Sequence, residues 1–339
     1  MKANPLAGFR VDRASIQYVG HDLQRPECIL AEPDGTLWSA DARGGVMRIG
    51  PDGSQRFVGQ RADDRFASTT NLHQRFMTGT LPNGLAFAGN GDFVIANFGT
   101  DALEIMDRDG RSRVLYDRID GRPIGKVNFV LRDSRDRLWL TVSTRVNPWV
   151  DAVRPDLADG YVALADEKGL RIVADGFAFT NEIRLDAREE RLYIVETAGK
   201  RVSRMRVGAD GTLHGREVYG PSSLGTGFPD GIAFDAVGNL WCTMVMADRL
   251  IAITPEGEVI ELLDDGDPAA TAELERHFAA GTVTTDIMMR ARGTVAPWMA
   301  SITFGGADLA TAYIGSLVGT RIPFFRSPVP GLPMVHWRR

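Results

Sequence analysis

Two cysteines in 339 residues, Cys28 and Cys242, are too few for a disulfide framework. Both lie inside apolar strand patterns and read as small buried residues. No run of about 18 or more apolar residues occurs, so no membrane-spanning helix is expected. The first fifteen residues contain no apolar stretch of the kind a signal peptide carries, and a cytoplasmic location is the default expectation. There is no basic stripe and the net charge is −5, so nothing supports a nucleic-acid partner. The chain also has no G-x-S-x-G elbow and no H-E-x-x-H pair, which removes the usual serine-hydrolase and zinc-protease signatures.

What is abundant is glycine, 37 residues of it, spread between short apolar segments. That composition suits many short strands joined by tight turns. The segments repeat. A polar residue opens a short apolar strand, an Asp/Gly-rich turn follows, and a second strand often carries Trp or Tyr. Copies begin at Glu27, Asn83, Asn128, Asn181 and Asp230, with a looser one at Ala300. Their intervals are 56, 45, 53, 49 and 70 residues. Propeller blades of four strands repeat at about 40–50 residues. The pattern predicts an all-β, six-bladed β-propeller of four-stranded antiparallel blades around a central channel, as one domain over residues 1–339. A sandwich of similar hairpins is the alternative, but radial repetition protects every sheet edge. Two insertions, 59–80 and 264–295, interrupt the repeat, and the second predicts a short helix over Ala272–Ala280. A tail, 316–339, follows the sixth copy. Its Phe324, Phe325, Met334 and Trp337 are expected to pack across a blade or serve a dimer interface.

The residue that opens each copy carries the chemistry. Equivalent positions on successive inner strands form a ring about a propeller axis. Here the ring is Glu27, Asn83, Asn128, Asn181, Asp230 and Ala300. Strand propensity does not ask for Asn or Asp at such positions. Taken singly, Pro82-Asn83-Gly84 and Pro229-Asp230-Gly231 would read as turns. Two carboxylates buried together need a cation or hydrogen bonds to compensate them. A hard divalent cation takes oxygens from carboxylates and amides alike, which favours calcium, with zinc, manganese or magnesium also able to occupy such a site.

The sequence around these residues resembles the SMP-30/gluconolactonase/luciferin-regenerating-enzyme family. The resemblance is carried by Pro26-Glu27, Val127-Asn128, Thr180-Asn181 and Pro229-Asp230-Gly231. Each is followed by an apolar strand, a Gly/Asp turn and Leu-Trp or Leu-Tyr, and the closing ITFGGADLATAYIG element matches too. The resemblance implies a six-bladed propeller with one catalytic divalent cation held by Glu27, Asn128, Asn181 and Asp230. It also implies lactonase activity on a sugar lactone or related small hydroxy-lactone, with Asp230 as the base that activates water. Asn83, Lys126 and Asn128 are then expected to meet substrate, with Asn83 alternatively a turn residue.

Three departures bear on selectivity. Lys126 stands where sugar lactonases of this family commonly carry Arg, which removes a planar, bidentate fork. Thr180-Asn181-Glu182 replaces a Pro-Asn-Gly. Glu182 could add negative charge near the site or point outward between blades, and the outward direction is expected because neighbouring strand residues point to opposite sides. His73, in the first insertion, could reach a pocket mouth or be a packing residue. The same metal chassis also fits a phosphotriesterase-like or aryl-ester hydrolase, or a metal-dependent lyase or hydratase. A purely binding propeller has no need of two axial carboxylates. A small-molecule substrate and a monomeric or homodimeric state complete the expectations.

Overall fold

The computed structural model describes residues 3–60 and 79–337. They form six four-stranded antiparallel sheets, five of them with their strands in sequential order from the centre outward, closed into a six-bladed β-propeller. The inner strands are Ile29–Ala31, Pro82–Phe87, Val127–Arg132, Thr180–Leu185, Phe228–Phe234 and Met299–Gly305. The sixth sheet joins the two ends of the chain. Its inner three strands are Met299–Gly305, Thr311–Ser316 and Ile322–Arg326, and its outer strand is Gln17–Val19, paired through Val19 and Ile322. Phe324 and Phe325, expected to lie across a blade, therefore form part of one.

In three copies the same turn chemistry recurs. An acidic residue ends the inner strand and receives the indole N–H from the second strand. Trp38 donates to Glu32 at 2.6 Å, Trp139 to Asp133 at 2.8 Å and Trp241 to Asp235 at 3.0 Å. Asp133 and Asp235 also accept backbone N–H groups of their own turns. Between the blades, apolar side chains interlock. The largest cluster runs from Cys28 and Trp38 through Phe87, Phe93 and Phe129 to Trp139 and Ile194. Cys242 is fully buried in a neighbouring cluster.

The second insertion forms the two α-helices among the described residues, α1 (Pro268–Ala279) and α2 (Thr285–Arg290). The first starts four residues before the expected Ala272, because Asp267 caps it and Pro268 sits at its first position. Lys200 clamps Glu275 of α1, whose carboxylate also accepts the Gly227 N–H at 2.8 Å. Asp248 accepts the N–H groups of Gly293, Trp298 and Met299 at 2.5–3.0 Å, holding the end of the insertion on the blades. Most of the first insertion, His73 included, lies outside the described residues.

The tail turns back across the channel at the C-terminal ends of the inner strands. Leu332, Met334, His336 and Trp337 line a cavity there with Leu30, Phe129 and Phe304. His336 meets the Ala31 carbonyl at 2.9 Å, and the Leu332 N–H donates to Phe234 at 2.8 Å. Met334 and Trp337 thus close one end of the axis rather than cover a blade face. No helix among the described residues is long and apolar enough to cross a membrane.

Candidate metal centre

The opposite end of the channel holds the ring. Five inner strands change register at the ring position: between Pro82 and Leu85, Val127 and Phe129, Thr180 and Ile183, Pro229 and Ile232, and Met299 and Ser301. Such irregularities re-aim a side chain, and here they turn Asn83, Asn128, Asn181 and Asp230 toward the axis. Hydroxyls of the second strands catch amides that the irregularity releases. Phe129 N–H donates to Thr141 at 3.1 Å and Gly231 N–H to Thr243 at 2.9 Å. Asn83 and Asp230 therefore sit within strands, not in turns. Gly84 and Gly231 serve close approach. A Cβ on Gly84 would lie 2.6 Å from Phe129 Cα, and one on Gly231 would lie 2.3 Å from Ser301 Cα.

Glu27, Asn83, Asn128, Asn181 and Asp230 line one cavity, and each is buried. Ala300, also buried, does not line it. Asn83 is committed at both ends of its amide. Its Nδ2 donates to the Asn128 carbonyl at 3.0 Å and to Asn128 Oδ1 at 3.2 Å, while its Oδ1 accepts from Arg25 at 2.7 Å. Asn181 is oriented from behind, where its Nδ2 donates to the Thr197 hydroxyl at 3.1 Å. That leaves Asn181 Oδ1 and Asp230 Oδ1 buried without a hydrogen-bond partner. Two buried, donorless oxygens on adjacent blades, beside the Glu27 carboxylate, fit a cation bound by hard oxygen donors. Among the described residues no three His, Cys, Asp or Glu side chains gather as a metal cluster. The fit rests instead on two carboxylates and two amide oxygens.

Arg25 is the residue that sequence reasoning missed. It lines the same cavity, and its Nη1 lies 2.7 Å from Glu27 Oε2. Its backbone has φ +56°, a left-handed conformation that a non-glycine residue adopts only under local constraint. One signal was present: Arg25 stands two residues before Glu27, as Lys126 stands two before Asn128. Lys126 itself does not line the cavity. Its ammonium pairs with Asp101 at 2.8 Å and rests over the Phe98 ring at 5.6 Å.

Glu182 corrects an expectation. It does not point outward; the register change between Thr180 and Ile183 leaves it buried on the axial side. There it pairs with Arg184 at 2.9 Å and accepts the Ile232 N–H at 3.2 Å. Burial pushes its carboxyl up to about 7 against the pull of Arg184. Burial likewise lifts Glu27 to about 7, with Arg25 opposing. Asp230 is raised well above the carboxylate range, first by burial and then by the charges of Glu27 and Glu182.

Comparison with known proteins places the chain. The profile of the SMP-30/gluconolactonase/LRE-like region matches residues 26–272. No curated protein matches in sequence. A gluconolactonase from Xanthomonas campestris superposes with a TM-score of 0.65 at 19% identity, over 93% of this chain and 89% of that one. A luciferin-regenerating enzyme gives 0.68 at 16% identity, over 94% and 98%. A calcium-binding regucalcin from Agrobacterium tumefaciens gives 0.65 at 14% identity, over 93% and 95%. At these identities the structural likenesses speak for the propeller alone, while the profile match spans most of the chain. On that match, this propeller belongs to the SMP-30/gluconolactonase/LRE-like family.

Proposed function

We propose that the chain is a divalent-cation-dependent hydrolase that opens a lactone. The observation that carries this reading is the pair of buried, donorless oxygens of Asn181 and Asp230 beside the Glu27 carboxylate. Glu27, Asn128, Asn181 and Asp230 would hold the cation, and an all-oxygen donor set favours calcium. When bound, the cation supplies Lewis-acid polarisation of the ester carbonyl.

The protein's own groups supply the rest. Asp230 faces the cavity and accepts the proton of the attacking water. A cation beside it would keep Asp230 ionised, as a base must be. The water oxygen bonds to the carbonyl carbon, the ring C–O bond breaks, and the leaving alkoxide takes the proton back from Asp230. Arg25 holds Glu27 and Asn83 in place, and Thr197 fixes the rotation of Asn181. No nucleophilic side chain is required. The four aromatic wall residues Phe98, Trp149, Phe179 and Phe228 favour aryl-ester hydrolysis as a second reading.

A panel of lactones and aryl acetates, assayed by acid release with metal-stripped protein and with Ca²⁺, Zn²⁺, Mn²⁺ or Mg²⁺ restored, tests both. Metal-dependent opening of a lactone supports the first reading. Turnover of aryl acetates alone supports the second, and no metal-dependent hydrolysis of either class contradicts both.

A further inference from the structure

Resting on the lactone-hydrolase reading, we infer that the cavity selects small cyclic esters with apolar substituents and discriminates against polyhydroxylated ones. The cavity encloses about 560 Å³ of space, counting the solvent at its open mouth. Its polar groups are gathered at the ring. Above them, among the described residues, the walls are Phe98, Phe179, Phe228, Met246 and Leu317, with Trp149 and further Val and Met side chains. Phe98, Trp149 and Phe179 form a connected aromatic group, with centroids 5.7 and 6.2 Å apart.

Hydroxyl-bearing substrates need partners that these walls do not offer. Apart from the Trp149 indole, the polar wall group among the described residues is Thr197, whose hydroxyl already donates to the Pro229 carbonyl at 2.8 Å and accepts from Asn181. Asn83 is occupied by Arg25 and Asn128. Lys126, the residue expected to meet sugar hydroxyls, is turned onto Asp101 and Phe98. Each sugar hydroxyl buried against such walls gives up water without replacement. Each buried methylene, in contrast, favours binding about fourfold. The shape is also held: Phe179 and Met246 take φ +58° and +63°, so the wall is braced by constrained backbone as the ring is by Arg25.

The test compares δ-valerolactone, δ-decalactone and glucono-δ-lactone with the full chain reconstituted with Ca²⁺. The corresponding non-hydrolysable lactams are measured in parallel by calorimetry. For δ-decalactone, kcat/KM should exceed that for glucono-δ-lactone by about tenfold or more. The variant Leu317→Asn should shrink that ratio. Gluconolactone turned over as well as or better than decalactone would overturn the selectivity while leaving lactone hydrolysis intact. Hydrolysis of none of the three would overturn the lactonase reading, and the lactams would then decide the cavity. Tighter binding of the alkyl lactam supports apolar selection; equal or tighter binding of the gluconolactam overturns it.

Discussion

Asp230 carries two burdens at once: it faces the cavity as a buried carboxylate, and it stands beside two other buried acids. In Asp230→Ala, hydrolysis should fall by roughly 10²–10⁴-fold, the span expected for loss of a positioned base. The metal-free variant should melt no lower than wild type, because the deleted group lacks a partner at Oδ1 and is repelled by Glu27 and Glu182. A rate assay paired with a thermal melt checks both. Arg25 makes the opposite prediction. Removing it in Arg25→Met leaves Glu27 as an uncompensated buried charge, a loss of about 3 kcal/mol in the metal-free chain. Adding Ca²⁺ should recover part of that loss, since a cation beside Glu27 replaces the missing guanidinium. Denaturant titration with and without Ca²⁺ reads it; equal losses in both conditions would separate Arg25 from the metal centre.

Much of this was legible residue by residue. Asn83, Asn128, Asn181 and Asp230 could be aligned because each opens the same strand pattern. What spacing does not show is a change of register. Alternation placed Glu182 outside, and the irregularity between Thr180 and Ile183 brings it in. Nor does residue type reveal which way a long side chain goes: Lys126 leaves the cavity for Asp101, whereas Arg25 enters it.

At the scale of elements, the helical insertion is latched to the blades by few side chains. Asp248 accepts three N–H groups from its far end, yet burial still raises that carboxyl to about 6. The folded state thus holds this proton more tightly than the unfolded chain, whose Asp titrates near 3.8. Its contribution to stability is greatest below that value and is lost as pH rises through about 6. Asp248→Asn should flatten the stability–pH curve in this window, measured by denaturant melts from pH 4 to pH 7 in about half-unit steps. The N-cap of α1 is a simpler test. Asp267→Ala removes the acceptor for Ala269 and Ala270 and should cost about 1 kcal/mol. Because α2 contributes Met288 to the cavity wall, disturbing the insertion should raise KM more than it lowers kcat. The helix itself was foreseen, four residues short at its start, because Asp267-Pro268 is a capping pair that apolar periodicity alone overlooks. The role of the tail was not foreseen: apolar content says that Met334 and Trp337 are buried, but not at which end of the axis.

The whole molecule is a ring that joins its ends in the sixth sheet and stacks a polar centre beneath an apolar cavity. That geometry makes cation binding and protonation compete. With Glu27 lifted to about 7 in the metal-free chain, loading below that pH must displace a proton, so affinity should rise as pH rises through it. The most direct test of the account is metal stoichiometry on stripped and reloaded protein, by calorimetry and elemental analysis. Wild type is compared with Glu27→Gln, Asn181→Ala and Asp230→Asn. The account predicts one divalent cation per chain in wild type and sharply weakened binding in all three variants, with the propeller's circular dichroism unchanged. No cation in wild type, or one retained at full affinity in the variants, would contradict it.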